Sequence, residues 1–498
     1  MTSVEGGLPP ASPWLDSSAG RLRPWGEAPL FKRGHSLRQM TVTLSTEVQA
    51  KAAEDAVDLM LGLLQSEHVR VLRYADEGPP PSALVESNRG KQIAEGWITF
   101  TPIDSPFVAG TATAAYEGSV TSTGAGISDI LRLVERGMYT HAYPSDEQGR
   151  SQARADLIAE FAAEAAGTDL FVTRRPGVIG RHFSHASRGM TCVSPEAALP
   201  LVSLYLRTQG EYTIWRSPTG HGVVHTSRET YFKIAVFELL PSLVGWVTAC
   251  GSSAPLIDVQ GQSWLPLTVI RRLTRALHAR DRIHAALLQP VDPSAQEDAA
   301  AELDILLSSL MAVFDVAARV AHLMAGLAID RAHIAAWQKD DWRKSLAVSA
   351  PELAKVMTKA STGGDQLEIL RQLRNSLHGE APMALTVASK RQDPAPETWV
   401  GVRGREGQLL TDALARQGGA AAWGFRSMGS RSQAGTVDLA CNVRVFVETL
   451  IPSMLSLLDQ LLGLMPGVSG VTPDAGFDPR PDQFDSESGP KIRAQLGL

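Results

Sequence analysis

The sequence predicts a multidomain protein in which an α/β domain is followed by a helical middle and an all-α domain. Three observations carry this expectation. The chain has 498 residues, too many for one hydrophobic core, and 44% of them are hydrophobic, enough to bury several. Up to about residue 200 helical and strand-like patterns alternate, as in layered α/β domains. From Ser194 onward helical spacing dominates.

Taken in order, residues 1–35 are rich in Pro, Gly and Ser without periodicity and are expected to form a disordered tail. An α/β domain is expected over 40–200. Within it, 46–65 has helical spacing through Ala53, Val57, Leu61 and Leu64, and 69–74 reads as a strand. Gly78 and the prolines at 79–81 predict a loop. A strand over 97–103, a helix over 127–134 and an Ala-rich helix over 154–166 follow, the last leading into a strand at 169–173. Ser194 is a candidate N-cap, with Pro195 in the first turn, for a helix over 197–206.

A helical extension is expected over 201–290. Its most apolar window, 231–250, contains Lys233, Glu238 and Pro241, which predicts buried helices broken at the proline rather than a membrane span. The Pro-rich break at 289–294 is the best candidate domain boundary. Residues 298–464 then read as a four-helix domain, with helices over 299–327, 331–346, 365–378 and 441–464 and a small β insertion at 383–387 and 398–402. Residues 466–498 read as a second disordered tail. No repeat of solenoid period occurs.

Composition narrows the functional classes. A formal charge of −6, from 47 basic and 53 acidic residues, argues against a surface coated for bulk nucleic-acid binding, so any RNA contact must be local. Cys192, Cys250 and Cys441 lie far apart, with neither disulfide-framework nor zinc-ligand spacing, which fits a reducing cytoplasm. No basic segment followed by an apolar run opens the chain, and no membrane contact is expected. HExxH, GxxxxGK and GxSxG motifs are absent, and His182 and His185 fall in a Gly/Ser/Arg-rich loop.

The most specific chemistry lies at 371–379. On a helix, Arg371, Arg374 and His378 fall at i, i+3 and i+7 with Asn375 adjacent, while Leu367, Leu370, Leu373 and Leu377 form an apolar stripe. Gly379 can end this helix, leaving His378 in the last turn. A histidine can exchange the proton of a ribose 2′-hydroxyl, and an arginine can hold the scissile phosphate in its planar fork. These residues resemble the HEPN superfamily, four-helix domains whose nuclease members carry Arg, usually a polar residue, four to six further residues and then His. Arg371 and His378 have that spacing, whereas Arg374-Asn375 has the Arg-polar pair but lies only three residues from His378. Either arginine can therefore be the phosphate-binding one. The resemblance implies metal-independent RNA cleavage with no cofactor, at a site shared across a homodimer of the C-terminal domain. The competing reading makes the arginines a solvated helix face and His378-Gly379 an ordinary cap.

The segments 154–175 and 189–196 resemble the C-terminal half of a PIN-like domain, in which an acid opens a helix, a strand ends in Val-Thr near a second acid, and a final strand leads to a Pro-Glu helix start. Asp156 matches the first acid. Arg175 stands where the second is expected, and a cation there opposes metal binding, so the resemblance implies a degenerate domain. If the domain is active, Asp156 is the expected metal ligand, with Asp76, Asp104 or Asp129 as further carboxylates. The alternative is an unrelated α/β domain with Asp156 as a helix-start residue. Finally, Arg271, Arg275, His278 and Arg282 fall on one side of a helix, and the three arginines are candidate phosphate contacts or simply a solvated face.

Three functional expectations follow: an RNA-binding protein that acts as a metal-independent endoribonuclease at the Arg/His helix; a non-catalytic regulatory or interaction protein with degenerate nuclease-like domains; and a metal-dependent PIN-like nuclease.

Overall fold

The computed structural model describes residues 30, 38–48, 55–75, 96–116, 118–137, 143–179, 190–216, 222–252, 264–288, 293–379, 384–387, 397–402, 404–427, 439–468, 479–481 and 488–498. They fall into two compact units. The first comprises 1–225, 288–290 and 494–498, and the second 226–287 and 291–493.

The first unit is built on a seven-stranded sheet in the order β5-β4-β3-β2-β1-β6-β7. Its elements run β1 (Met40–Ser45), α1 (Asp55–Leu63), β2 (Val69–Tyr74), β3 (Gly96–Pro102), β4 (Gly110–Tyr116), β5 (Ser119–Ala125), α2 (Ser128–Glu135), α3 (Glu147–Ala165), β6 (Leu170–Val172), α4 (Pro176–Ile179), β7 (Thr191–Val193) and α5 (Pro195–Thr208). Strands β1, β2, β3, β6 and β7 are parallel, while β3, β4 and β5 form an antiparallel edge. Every residue of β1 is buried, as expected for a central parallel strand covered on both faces. Helix α3 packs against β2 to β5, and α5 packs against α1, β6 and β7. A short hairpin of β8 (Tyr212–Arg216) and β9 (Gly222–Thr226) follows α5.

Several expectations meet a correction here. The helix expected over 154–166 starts earlier, at Glu147, because Asp146 caps it by accepting a hydrogen bond from the Gly149 amide at 2.8 Å. Asp156 therefore lies inside the helix rather than opening it, and it is buried. Of the helix expected over 46–65, the described part is helical only over Asp55–Leu63, with Thr46 and Glu47 in a turn. Ser194 does cap α5, accepting from the Ala197 amide at 3.4 Å. Strands β8 and β9 fall in a segment expected to be helical.

The second unit contains α6 (Arg228–Leu239), α7 (Leu243–Ser252), α8 (Leu265–Leu287), α9 (Pro293–Met324), α10 (Asp340–Ser349), α11 (Pro351–Val356), α12 (Thr362–Gly379), α13 (Gly404–Arg416) and α14 (Val443–Gly463). A four-stranded sheet, β10-β11-β13-β12, is formed by β10 (Ala384–Val387), β11 (Glu397–Val402), β12 (Phe425–Ser427) and β13 (Leu439–Asn442). Helices α6 and α7 are bent by 98° around the break that contains Pro241. The break expected at 289–294 separates α8 from α9, which pack along each other within this unit. Helix α14 is long and apolar enough to cross a membrane, but 61% of its apolar window is buried inside the fold, as in a soluble core helix. The 331–346 helix is replaced by a 3-10 turn over Ile329–Ile334 and then α10.

The tail expected over 466–498 is corrected at its end. Residues Ser488–Leu496 form α15, whose Ile492 and Leu496 are buried at i, i+4 spacing. Gln495 in turn lies 3.3 Å from the Ser203 hydroxyl. The tail expected over 1–35, apart from the buried Leu30, and the loop at 78–81 lie outside the described residues.

Candidate functional sites

The order of the parallel strands reverses between β1 and β6, with β2 and β3 on one side and β7 on the other. In open α/β sheets the crevice beyond the carboxyl ends of the strands at such a reversal is the usual ligand position. Here it is filled by residues leaving β1 and β6, by Asp156 of α3, by Tyr74 at the end of β2 and by Tyr143 from the segment before α3. Arg175 is the centre. Its Nη1 lies 3.2 Å from Asp156 Oδ1, its Nε donates to the Ser45 hydroxyl at 3.0 Å and lies 3.5 Å from Glu47 Oε2, and its guanidinium stands over the Tyr74 ring at 5.6 Å. Glu47 also accepts from the Thr173 hydroxyl and from the Arg174 amide at 3.1 Å. On the other side Asp156 accepts from the Tyr143 hydroxyl, which itself accepts from the Gly177 amide at 2.9 Å.

The two carboxylates respond in opposite directions. Burial dominates at Asp156 and raises its pKa above the ordinary aspartate value, although Tyr143 and Arg175 pull the other way. Burial would also raise Glu47, but hydrogen bonds from Ser45 and Thr173 and the charge of Arg175 outweigh it and hold that carboxyl low. Burial, followed by the adjacent Asp156, pushes the Tyr143 phenol well up, so it remains protonated and donates.

A divalent metal does not fit this constellation. Metals of the magnesium and manganese class need several oxygens converging on one point, and here the guanidinium stands between Asp156 and Glu47. A positive charge at that point supplies the compensation a metal would supply. Asp104 and Asp129, the other described carboxylates considered, are exposed, Asp129 lying 3.5 Å from Arg132, and neither joins the cluster. Asp76, His182 and His185 lie outside the described residues.

In the second unit, α12 carries the predicted Arg/His edge. Leu367, Leu370, Leu373 and Leu377 are all buried, so the leucine stripe anchors the helix as expected. Arg371 is half-buried and bound to its own helix, donating from Nε at 3.1 Å and from Nη2 at 2.8 Å to Glu368. Arg374 Nη1 lies 3.3 Å from Asn375 Oδ1, and its buried Nε has no hydrogen-bond partner among the described residues. Asn375 is exposed. Arg374 also acts on Asp315 of α9, whose pKa burial raises against the opposing charges of Arg319 and Arg374. His378 belongs to α12, but its side chain lies outside the described residues.

Of the basic stripe on α8, Arg271 and Arg275 are exposed, Arg282 pairs with Glu302 of α9 at 2.8 Å, and His278 packs edge-on to Phe232. The same helix holds a cluster that sequence reasoning missed. Arg280 donates from Nε and Nη2 to Glu448 of α14 at 3.0 Å each, and His284 Nε2 lies 2.8 Å from the same carboxylate. All three are essentially sealed from water. Burial would raise Glu448, but Arg280 and His284 hold it down to about 2, while burial lowers His284 against the opposing pull of Glu448. Neither this cluster nor Ser45, Glu47 and Tyr143 was signalled by a motif. Their partners come from distant elements.

No family model, curated protein or solved structure matches the chain.

Proposed function

We propose that this chain is an RNA-binding regulatory protein with nuclease-like architecture, in which the α/β unit recognises its ligand without metal-dependent cleavage. The observation that carries this reading is Arg175 lodged between Asp156 and Glu47 at the strand reversal. That is where a metal nuclease on such a sheet needs converging carboxylates, and an arginine there supplies fixed positive charge instead. The parallel strands and the Pro195-Glu196 start of α5 also support the PIN-like resemblance, whereas Asp156 departs from its pattern by lying inside α3 rather than opening it.

A second reading, metal-independent cleavage by the HEPN-like helix, is favoured by one specific observation. Glu368 occupies Arg371, whereas Arg374 sits beside Asn375 with its Nε unpartnered. In this reading Arg374 and Asn375 hold the phosphate, His378 transfers the 2′-hydroxyl proton, and a second copy of the chain completes the site.

RNA binding and cleavage assays on the full chain, with and without EDTA, separate these readings. The leading proposal expects binding without cleavage under either condition. EDTA-sensitive cleavage lost in Asp156→Ala overturns it. EDTA-resistant cleavage lost in Arg374→Gln and His378→Ala but retained in Arg371→Gln establishes the second reading in its place.

A further inference from the structure

A separate cluster lies at the opposite end of the same sheet. The turn that precedes β2 presents Glu67 and His68, and the turn that follows α5 presents Glu211, all within the first unit. One ligand atom from each lies within 4.8 Å of the others. We propose that Glu67, His68 and Glu211 bind a divalent cation of the zinc class.

Four observations support this assignment. The first is spacing. His68 Nε2 and Glu211 Oε1 are 3.6 Å apart, too far for a good hydrogen bond. Two ligands each about 2.0–2.2 Å from a tetrahedral zinc ion are separated by roughly 3.3–3.6 Å, so the pair already has the length of a coordination edge. The second is charge, since two carboxylates and one neutral imidazole supply two negative charges for a dication. The third is ligand orientation. The Ser66 hydroxyl donates to Glu211 Oε2 at 2.7 Å, fixing one oxygen and leaving Oε1 toward His68, the arrangement by which outer partners orient metal-binding carboxylates. The fourth is rigidity of the platform. The His68 carbonyl accepts from the Met40 amide at 2.9 Å and from the Tyr205 hydroxyl at 3.3 Å, and the Glu67 carbonyl accepts from Gln39 Nε2 at 2.7 Å.

Glu67 is the exposed member of the set, with a carboxylate oxygen already within 4.8 Å of the ligand atoms of His68 and Glu211. Three protein ligands leave a fourth position for water or for an anionic group of a bound molecule. Binding would join the start of β2 to the turn after α5, so the ion would stabilise the first unit. This inference does not depend on the RNA-binding reading.

The test uses the full chain freed of metal with a chelator and then titrated with zinc chloride by calorimetry and with cobalt chloride by visible absorption. The expected result is a site whose cobalt spectrum shows nitrogen and oxygen ligation, with a rise in melting temperature on zinc addition. Glu211→Gln, which keeps the side-chain shape, and His68→Ala should each weaken zinc binding at least tenfold. Ser66→Ala should weaken it by roughly tenfold, as expected for loss of an outer-shell partner. Circular dichroism verifies folding of each variant, and Glu211→Gln alone suffices if His68→Ala misfolds. Absence of zinc binding, or binding unchanged in Glu211→Gln, overturns the assignment.

Discussion

Arg175 in the first unit and Arg280 in the second each sit between acidic and polar partners, yet their environments differ. Arg280, His284 and Glu448 are shut in between α8 and α14, with side chains at most 1% exposed. Arg175 is 11% exposed and Glu47 31%, at the end of a sheet where chains leave the layer. Sealing makes one cluster a structural tie: an ionised Glu448 held by the Arg280 guanidinium and the His284 ring. Uneven burial gives the other an asymmetry: Asp156, only 2% exposed, is pushed up by burial, while the more open Glu47 is held down by its hydrogen bonds and the same guanidinium. A buried charged cluster is therefore not by itself a functional sign. Its position at the strand reversal and its contact with water distinguish the Arg175 cluster.

The largest expected effect is at the sealed cluster. Glu448→Ala leaves Arg280 buried without its carboxylate and should destabilise the second unit by about 3–5 kcal/mol in denaturant unfolding. Replacing both charges, in Arg280→Met with Glu448→Leu, should cost less than Glu448→Ala. A larger loss in the double variant would break the account of this cluster as a mutually compensating pair. The same site sets an acid limit. Because Glu448 is depressed from 4.5 to about 2, its contribution is fully present above the ordinary value and is lost as pH falls through about 2. The melting temperature of the wild-type chain should therefore fall across that window, and the double variant should show a shallower fall.

A smaller loss is expected from Arg175→Ala, about 1–3 kcal/mol, since water can reach part of the cluster and replace some of the lost hydrogen bonds. A loss as large as that of Glu448→Ala would erase the distinction between the sealed and open clusters. The smallest effect belongs to Arg154→Ala, which removes an ion pair with Glu135 whose two side chains are each 44% exposed and should change stability by less than about 1 kcal/mol.

Much of the architecture was legible in local pattern. The strand over β2 and the capped start of α5 were readable because alternation and the Ser194-Pro195 signal act within a few residues. So was the leucine face of α12. Strands β1, β4 and β5 went unrecognised for a different reason. In β1, Met40, Val42 and Leu44 do alternate with Thr41, Thr43 and Ser45, a signal that lay beside the helical spacing of 46–65, whereas Gly110–Tyr116 and Ser119–Ala125 are rich in Thr, Ser, Ala and Gly and present no strong apolar alternation. Without β1, nothing marked Ser45 and Glu47 as strand-end residues. The opposition of Arg175 to Asp156 was readable from spacing and resemblance, whereas Tyr143 joins them only through the packing of α3 against the sheet. At α12 the residue types were visible, but the pairing of Arg371 with Glu368 is a rotamer choice that spacing alone does not decide.

The central claim, that Arg175 takes the place of a metal at the strand reversal, is tested most directly by manganese binding measured with electron paramagnetic resonance. The measurement is made in a His68→Ala background so that the Glu67, His68 and Glu211 cluster does not contribute. With Arg175 present, no manganese should be held through Asp156. Arg175→Ala should create a bound signal that disappears again on adding Asp156→Asn. Manganese bound by the chain that retains Arg175, and lost in Asp156→Asn, would contradict the account.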